Sequence, residues 1–259
     1  MPTLYPRTVA IIQARIASSR LPGKVLLNIS GQPMLGWVVE RTKRARLLDE
    51  VGVATTVNES DDPIVEFCQV RGYPVYRGSE FDVLDRYYQA ARFFRAEVVV
   101  RITADCPLID WNVIDHTVRQ FFEQGVDFAA NRLPPPWKRT YPIGLDTEVC
   151  TFAALERAWH EAREPFEREH VMPYLYDQDG RFRVLVVHHD PDYGALRWTV
   201  DTPEDLEVIR RVFAYFKGRD DFGWLEVLKL FEQHPELAEI NAQIQHKTAT
   251  DIDERLITP

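Results

Sequence analysis

The chain alternates short apolar runs with longer stretches whose apolar residues recur every three or four positions. Val9-Ala10-Ile11-Ile12 has the length and composition of a buried strand. Met34 to Arg46 carries the stripe of an amphipathic helix and ends in basic residues, as the helix dipole prefers. Val51 to Val57 reads as a strand, and Asp61-Asp62-Pro63 opens a helix with an Asp cap and a proline in its first turn. The pattern then predicts a strand at Tyr73 to Tyr76, a helix at Asp82 to Phe94 and a β-branched strand at Val98 to Ile102. A helix at Val113 to Gln124 and a strand at Phe128 to Ala130 follow. Such alternation implies right-handed βαβ units and a mostly parallel sheet with helices on both faces. In open sheets of this kind ligands bind beyond the carboxyl ends of the strands.

The second half is less regular. Residues 131–142 contain four prolines, which lack amide donors and block helical neighbours, so the segment is neither helix nor central strand. A long loop of this kind, with aromatic and basic residues, suits the acceptor side of a binding site. Leu145 to Cys150 reads as a strand, Phe152 to Arg163 as a helix and Phe182 to His188 as a strand. An apolar strand leads into Asp201, after which Thr202 caps a helix whose first turn holds Pro203, Glu204 and Asp205. Phe222 to Phe231 and Pro235 to His246 predict two last helices. The expected organisation is a main domain over residues 1–218, with residues 131–144 as an acceptor loop, and a helical extension over 219–259. That extension is either an appendage or a packing surface for a partner.

The candidate chemistry begins where the first strand ends. Gln13-Ala14-Arg15-Ile16-Ala17-Ser18-Ser19-Arg20-Leu21-Pro22-Gly23-Lys24 places two arginines, a lysine and two serines in one loop. Guanidiniums and an ammonium neutralise charge while hydroxyls and loop amides donate hydrogen bonds, which suits a polyphosphate. The loop is neither GxxxxGK[ST] nor GxGxxG. Asp105, just past the strand ending at Ile102, and Asp201 supply hard oxygen ligands suited to Mg²⁺. Glu204 and Asp205 are read as helix cap and dipole residues, and Cys106 as a small buried filler. In Arg77-Gly78-Ser79, a turn after a strand, Arg77 could reach a nucleotide. Asp85 and Arg86 are read as the solvated face of a helix as readily as functional groups. Arg101, inside an apolar strand, needs a partner, which a nucleotide, Asp105 or a structural ion pair could supply.

Bulk properties narrow the classes. The 259 residues carry a net charge of −9, which argues against a general nucleic-acid binder and makes the basic loop a local exception suited to a small anion. No apolar run is long enough to cross a membrane, and Met1 to Arg7 lack the apolar core of a signal peptide. Cys68, Cys106 and Cys150 lie far apart with no CxxC, so neither a zinc site nor a disulfide framework is expected, and a reduced cytoplasmic setting is.

The basic loop resembles the N-terminal signature PARxxSxRLPGK of octulosonate cytidylyltransferases, enzymes that activate acidic sugars. Arg15, Ser18, Arg20, Leu21, Pro22, Gly23 and Lys24 fall on its fixed positions, and Gln13 replaces the proline. Over nearly its full length the chain is similar to the branch named after spore-coat polysaccharide biosynthesis protein F, including RGSExDVLDRY, TADCPLI, YPIGLDxE and RWTVDTPED. The resemblance implies a Rossmann-like, glycosyltransferase-A-type α/β fold and transfer of a nucleotidyl group, CTP being the favoured donor, to a sugar acceptor with release of pyrophosphate. It implies that Asp105 and Asp201 hold Mg²⁺, and that Arg15 and Lys24, helped by Ser18, Ser19 and Arg20, hold the outer phosphates. Gln13, Ala14, Arg77 and Thr103 join the nucleotide site. Arg139, Tyr141, Asp146, Glu148, Arg168 and His170 border the acceptor, with Asp146 and Glu148 on one face of the strand they begin. Members of the family tend to dimerise. The competing expectations are another nucleotide donor with a sugar 1-phosphate acceptor, and a non-catalytic nucleotide-binding module.

Overall fold

The computed structural model describes residues 5–244. Its strands are β1 (Thr8–Gln13), β2 (Asn28–Ile29), β3 (Gln32–Pro33), β4 (Glu50–Thr56), β5 (Val75–Gly78), β6 (Val98–Thr103), β7 (Phe128–Ala130), β8 (Glu148–Thr151) and β9 (Val184–Val186). Its α-helices are α1 (Met34–Thr42), α2 (Asp62–Arg71), α3 (Val83–Phe93), α4 (Trp111–Gln124), α5 (Phe152–Glu161), α6 (Pro165–His170), α7 (Pro173–Tyr176), α8 (Pro203–Tyr215), α9 (Trp224–Gln233) and α10 (Glu236–Glu239).

A seven-stranded sheet runs in the order β5-β4-β1-β6-β8-β7-β9. All its pairings are parallel except those of β8, which lies antiparallel to both β6 and β7. Strand pleat sends alternate residues of β1 to opposite faces. Val9 and Ile11 pack into a core with α3, α5 and α7, whereas Ala10 and Ile12 pack with α1, α2 and α4. Both faces are therefore covered, which is why β1 reads as a continuous apolar run and β6 as one interrupted only by Arg101 before Thr103.

A third apolar cluster joins α8 and α9 to Trp37 of α1 and to Leu108, Leu145 and Trp198. Trp224 N–H donates to the Asp110 carboxylate at 2.8 Å, which fixes the start of α9 against the start of α4. The final helix is shorter than the pattern suggests, ending at Glu239, and the end of the expected 235–246 segment lies outside the described residues. The strand expected over Leu145 to Cys150 begins only at Glu148, so Asp146 precedes it.

Candidate active site

The loop after β1 is pinned at several points. Ala14 N–H donates to Ala54 O at 3.1 Å and Gly23 N–H to Ile16 O at 3.0 Å. Ile16 N–H donates to the Asp61 carboxylate at 2.7 Å. Thr56 donates to the same carboxylate through Oγ1 (2.5 Å) and N (3.3 Å), so a buried aspartate ties the loop to the end of β4. This corrects the expectation that Asp61 caps a helix: its side chain makes no cap bond to α2.

The turn at Pro22-Gly23 delivers Lys24 to the carboxyl ends of β1 and β6. Its Nζ donates to Asp105 Oδ2, Asp201 Oδ1 and Val200 O, each at 2.8 Å. Three acceptors match the three protons of an ammonium. Burial opposes the Lys24 charge, but Asp105 and Asp201 outweigh it and raise its pKa above the ordinary lysine value. Burial also opposes ionisation of Asp201, yet Lys24, Arg20 and Arg197 hold its carboxyl well below the usual range. Arg20 lies 3.0 Å and Arg197 2.8 Å from Asp201 Oδ2.

Asp201 owes its position to a neighbour. The Asp205 carboxylate, fully buried, accepts from Asp201 N (2.9 Å), Thr202 N (3.1 Å) and Arg197 Nε (2.8 Å). Thr202 caps α8 as expected, but Asp205 does more than favour the helix dipole. The apolar strand expected before Asp201 is not a strand of the sheet. It is an extended segment held by Ile143 N to Leu196 O (2.8 Å), Trp198 N to Ile143 O (2.7 Å) and Val200 N to Asp105 O (2.8 Å). Gly144, at φ +107°, permits this approach, since a Cβ there would lie 2.7 Å from Thr199 N.

Two carboxylates and a main-chain carbonyl thus converge on one cation. Among the described residues no group of three or more His, Cys, Asp or Glu is gathered for a metal. One or two carboxylates with substrate phosphates completing the shell is the usual arrangement for Mg²⁺, so the donor set fits that ion once Lys24 moves onto phosphate.

Around this point lies a cleft of about 320 Å³. Gln13, Ala14, Arg15, Ser18, Ser19, Arg20 and Lys24 of the loop after β1 line it, together with Thr103, Asp105 and Asp201. Asp146, Glu148 and His170 line it as well. The remaining four expected site residues stand elsewhere. Arg77 donates to Thr56 O and Asn58 O (both 2.9 Å) and pairs with Asp62, stapling β5 to the turn after β4. Arg168 grips the Asp82 carboxylate and donates to Trp159 O (2.8 Å), which joins α6 to α3. Tyr141 is buried against Trp224 and His189. Arg139 does not line the cleft; it holds both oxygens of Asp146, which does.

Arg86, Arg132, Glu169 and Tyr176 also line the cleft. Arg132 belongs to the expected acceptor loop and Glu169 to the expected acceptor segment 167–170, Arg86 is open in the sequence between a solvated helix face and a functional group, and only Tyr176 carries no expectation from the sequence. Arg86 is buried rather than on a solvated helix face. Arg101 finds its partner across the sheet: the antiparallel register sets Glu148 directly opposite it, and the two form an ion pair. Arg101 Nε also donates to Gln13 Oε1 at 3.1 Å, a role that proline at position 13 could not fill. Burial pushes the Cys106 thiol well above its ordinary pKa, which suits a filler and not a nucleophile.

A family profile described as Cytidylyltransferase matches residues 9–241. Spore coat polysaccharide biosynthesis protein SpsF of Bacillus subtilis is 31% identical over 235 residues, covering 88% of this chain and 95% of that protein. The solved structure of a cytidylyltransferase from Leptospira borgpetersenii superposes with a TM-score of 0.86 at 33% identity, covering 93% of this chain and all of that one. A CMP:2-keto-3-deoxy-manno-octonic acid synthetase complexed with CTP shares the fold, with a TM-score of 0.61 at 20% identity over 81% of this chain and 99% of that one.

Proposed function

The chain belongs to the cytidylyltransferase family, and we propose that it transfers the cytidylyl group of CTP to a sugar acceptor in the making of surface polysaccharide or glycan precursors. The observation that carries this reading is the meeting of Lys24 and Arg20 with Asp105 and Asp201 at the carboxyl ends of β1 and β6. That edge is where a sheet of this kind binds its ligand.

In this reading Arg15, Arg20 and Lys24, with the hydroxyls of Ser18 and Ser19, take the triphosphate, and Gln13, Ala14 and Thr103 border the nucleotide. Asp105 and Asp201 hold Mg²⁺, which when bound offsets phosphate charge and polarises the α-phosphate. Lys24 and Arg20 neutralise the charge that grows on the departing pyrophosphate. Asp146, Glu148, Glu169 and His170 border the acceptor and orient its hydroxyls. The acceptor oxygen attacks the α-phosphorus in line, so catalysis rests on positioning and charge stabilisation with no covalent enzyme intermediate. We read the transferase domain as ending near residue 218, with α9 and α10 (Trp224–Glu239) packed on it as an extension. The enzyme acts in the cytoplasm as a homodimer.

Thermal melts with CTP, UTP, ATP, GTP and dTTP, each with and without Mg²⁺, test the donor. A ligand at about 100 times its dissociation constant adds about 2.7 kcal/mol, a shift of roughly 5–10 °C for a chain of this size. A Mg²⁺-dependent shift confined to CTP, followed by pyrophosphate release with an acidic sugar, is the expected result. A shift with another base and none with CTP would overturn the donor assignment.

A further inference from the structure

Of the five arginines that line the cleft, Arg15 comes from the loop after β1, Arg101 from β6 and Arg86 from α3. Arg101 is neutralised by Glu148. Arg86 is different. Its side chain is 1% exposed, yet among the described residues it makes no ion pair. Nη1 donates only to the main-chain oxygens of Ser79 (2.6 Å) and Glu80 (3.3 Å), and the buried Nε has no partner.

Such a group is costly to bury, because a guanidinium loses hydration that carbonyls repay only in part. Burial lowers the Arg86 pKa to about 10; Tyr87 and Asp61 act against that, while Arg15 and Arg101 add to it as like charges. The fold does not reduce the cost by turning the side chain to solvent. It holds the guanidinium on the cleft wall through the turn at 79–80, in a fixed orientation. Arg41, also fully buried and with an unpartnered Nη2, differs in its surroundings: its guanidinium stacks over Trp111 and Phe222, donates to Ile109 O and Asp220 O, and lines no part of the cleft. Among the described residues Arg86 has no ion-paired counter-charge, and the cleft that it lines is where an anion can approach it.

We infer that Arg86 is a further substrate-binding residue, which takes an oxyanion of a bound substrate on the wall of the cleft. The oxyanion is a phosphate of the nucleotide or the carboxylate of the acceptor, and it supplies the counter-charge that Arg86 lacks among the described residues. This inference rests on reading the cleft as a nucleotide and sugar site.

The test compares the full-length wild type with Arg86→Met and Arg86→Lys. Calorimetric titrations use CTP, cytidine, pyrophosphate and, with CMP present, glucuronate as a carboxylate probe; melts without ligand accompany them. If the partner is a nucleotide phosphate, Arg86→Met weakens CTP and pyrophosphate by roughly 10- to 100-fold, leaves cytidine within about twofold, and Arg86→Lys recovers part of the loss. If it is the acceptor carboxylate, CTP binding is kept and glucuronate binding is lost by a similar factor. In either case the unliganded melting temperature stays within a few degrees, because the fold draws no ion pair from Arg86. Retention of all four affinities within twofold overturns the inference, as does a large drop in unliganded stability with cytidine binding lost too, which is the mark of a structural residue. A wild type that binds pyrophosphate through Arg86 but not CTP overturns only the cytidylyl reading. A wild type that binds none of the probes overturns both.

Discussion

Replacing Lys24 with methionine removes the cation that Asp105 and Asp201 share while keeping the length and apolar stem of the side chain. Asp201 retains Arg20 and Arg197, so the loss falls mainly on Asp105 and on the Val200 carbonyl. Removing one partner of a buried ion pair costs about 3–5 kcal/mol. The Asp105 side chain is 25% exposed, so it regains some hydration, and about 2–3 kcal/mol is expected. At about 2–4 °C per kcal/mol for a large domain, the melting temperature falls by about 4–12 °C. The pH dependence has a definite sign. In the wild type the Asp201 pKa is depressed on folding, so its contribution is present above the unfolded value and is lost only as pH falls through the depressed one. The Lys24 pKa is raised, so its contribution is present below the unfolded value and is lost only as pH rises through the raised one. Neither change falls near neutrality. In the variant, two carboxylates face each other without their shared cation, and proton uptake relieves the repulsion, so the penalty shrinks as pH is lowered from about 7 to about 5. Millimolar Mg²⁺ without nucleotide should raise the melting temperature of the variant and leave the wild type unchanged, since only the variant offers both carboxylates free of the ammonium. Circular-dichroism melts over that pH range, with and without Mg²⁺, decide it. A fall below about 2 °C with no response of the variant to Mg²⁺ would refute the role given to Lys24.

Further outcomes follow from the same geometry. Asp201→Asn should lower turnover by about 100-fold or more while the far-ultraviolet spectrum stays native, because Asp205 still holds Arg197 and Thr202 still caps α8; near-normal turnover with Mg²⁺ would remove Asp201 from the reaction. Cys106→Ser should keep turnover within a few fold, since a buried thiol with a raised pKa is no nucleophile; loss of activity with unchanged stability would contradict this. Asp61→Ala releases the amide of Ile16 and the hydroxyl of Thr56, costing about 1–3 kcal/mol in a denaturant titration and weakening CTP more than cytidine, because the loop it steadies faces the phosphates.

The parts of this molecule legible in the sequence are those encoded locally. β1, β4 and β6 announce themselves as apolar runs because helices cover both faces of the sheet, and the basic loop is contiguous, so its cations are placed by one turn. Asp105 and Asp201 are legible as residues just past apolar segments. What the sequence hides is pairing. Apolar patterning marks β8 as a strand but not as the antiparallel neighbour of β6, and that register alone makes Glu148 the partner of Arg101. The same limit explains Arg77 and Arg168, whose charge suggests ligand binding but whose partners are Asp62 and Asp82. Arg86 is open in the sequence between a solvated helix face and a functional group, and the approach of α3 to β1 and β5, which no local pattern encodes, buries it.

The charges in the cleft also bear on the order in which ligands enter. Lys24 is held by Asp105 and Asp201, and Arg20 by Asp201, the carboxylates that would supply the metal donors in the proposed reaction. A triphosphate offers the two cations other anions, and each cation that moves to phosphate leaves a carboxylate oxygen for Mg²⁺. Anion and metal are then linked: each raises the affinity for the other by the same factor, because both favour the arrangement in which Lys24 has left the aspartates. A preformed metal site of three or more carboxylates would bind Mg²⁺ without nucleotide, and the described residues hold no such group. The expectation is that Mg²⁺ titrated into the wild type gives no calorimetric signal until CTP is present, and that CTP binding tightens with Mg²⁺ by an equal factor. Tight Mg²⁺ binding to the nucleotide-free wild type would show that the aspartates do not depend on Lys24 for their counter-charge.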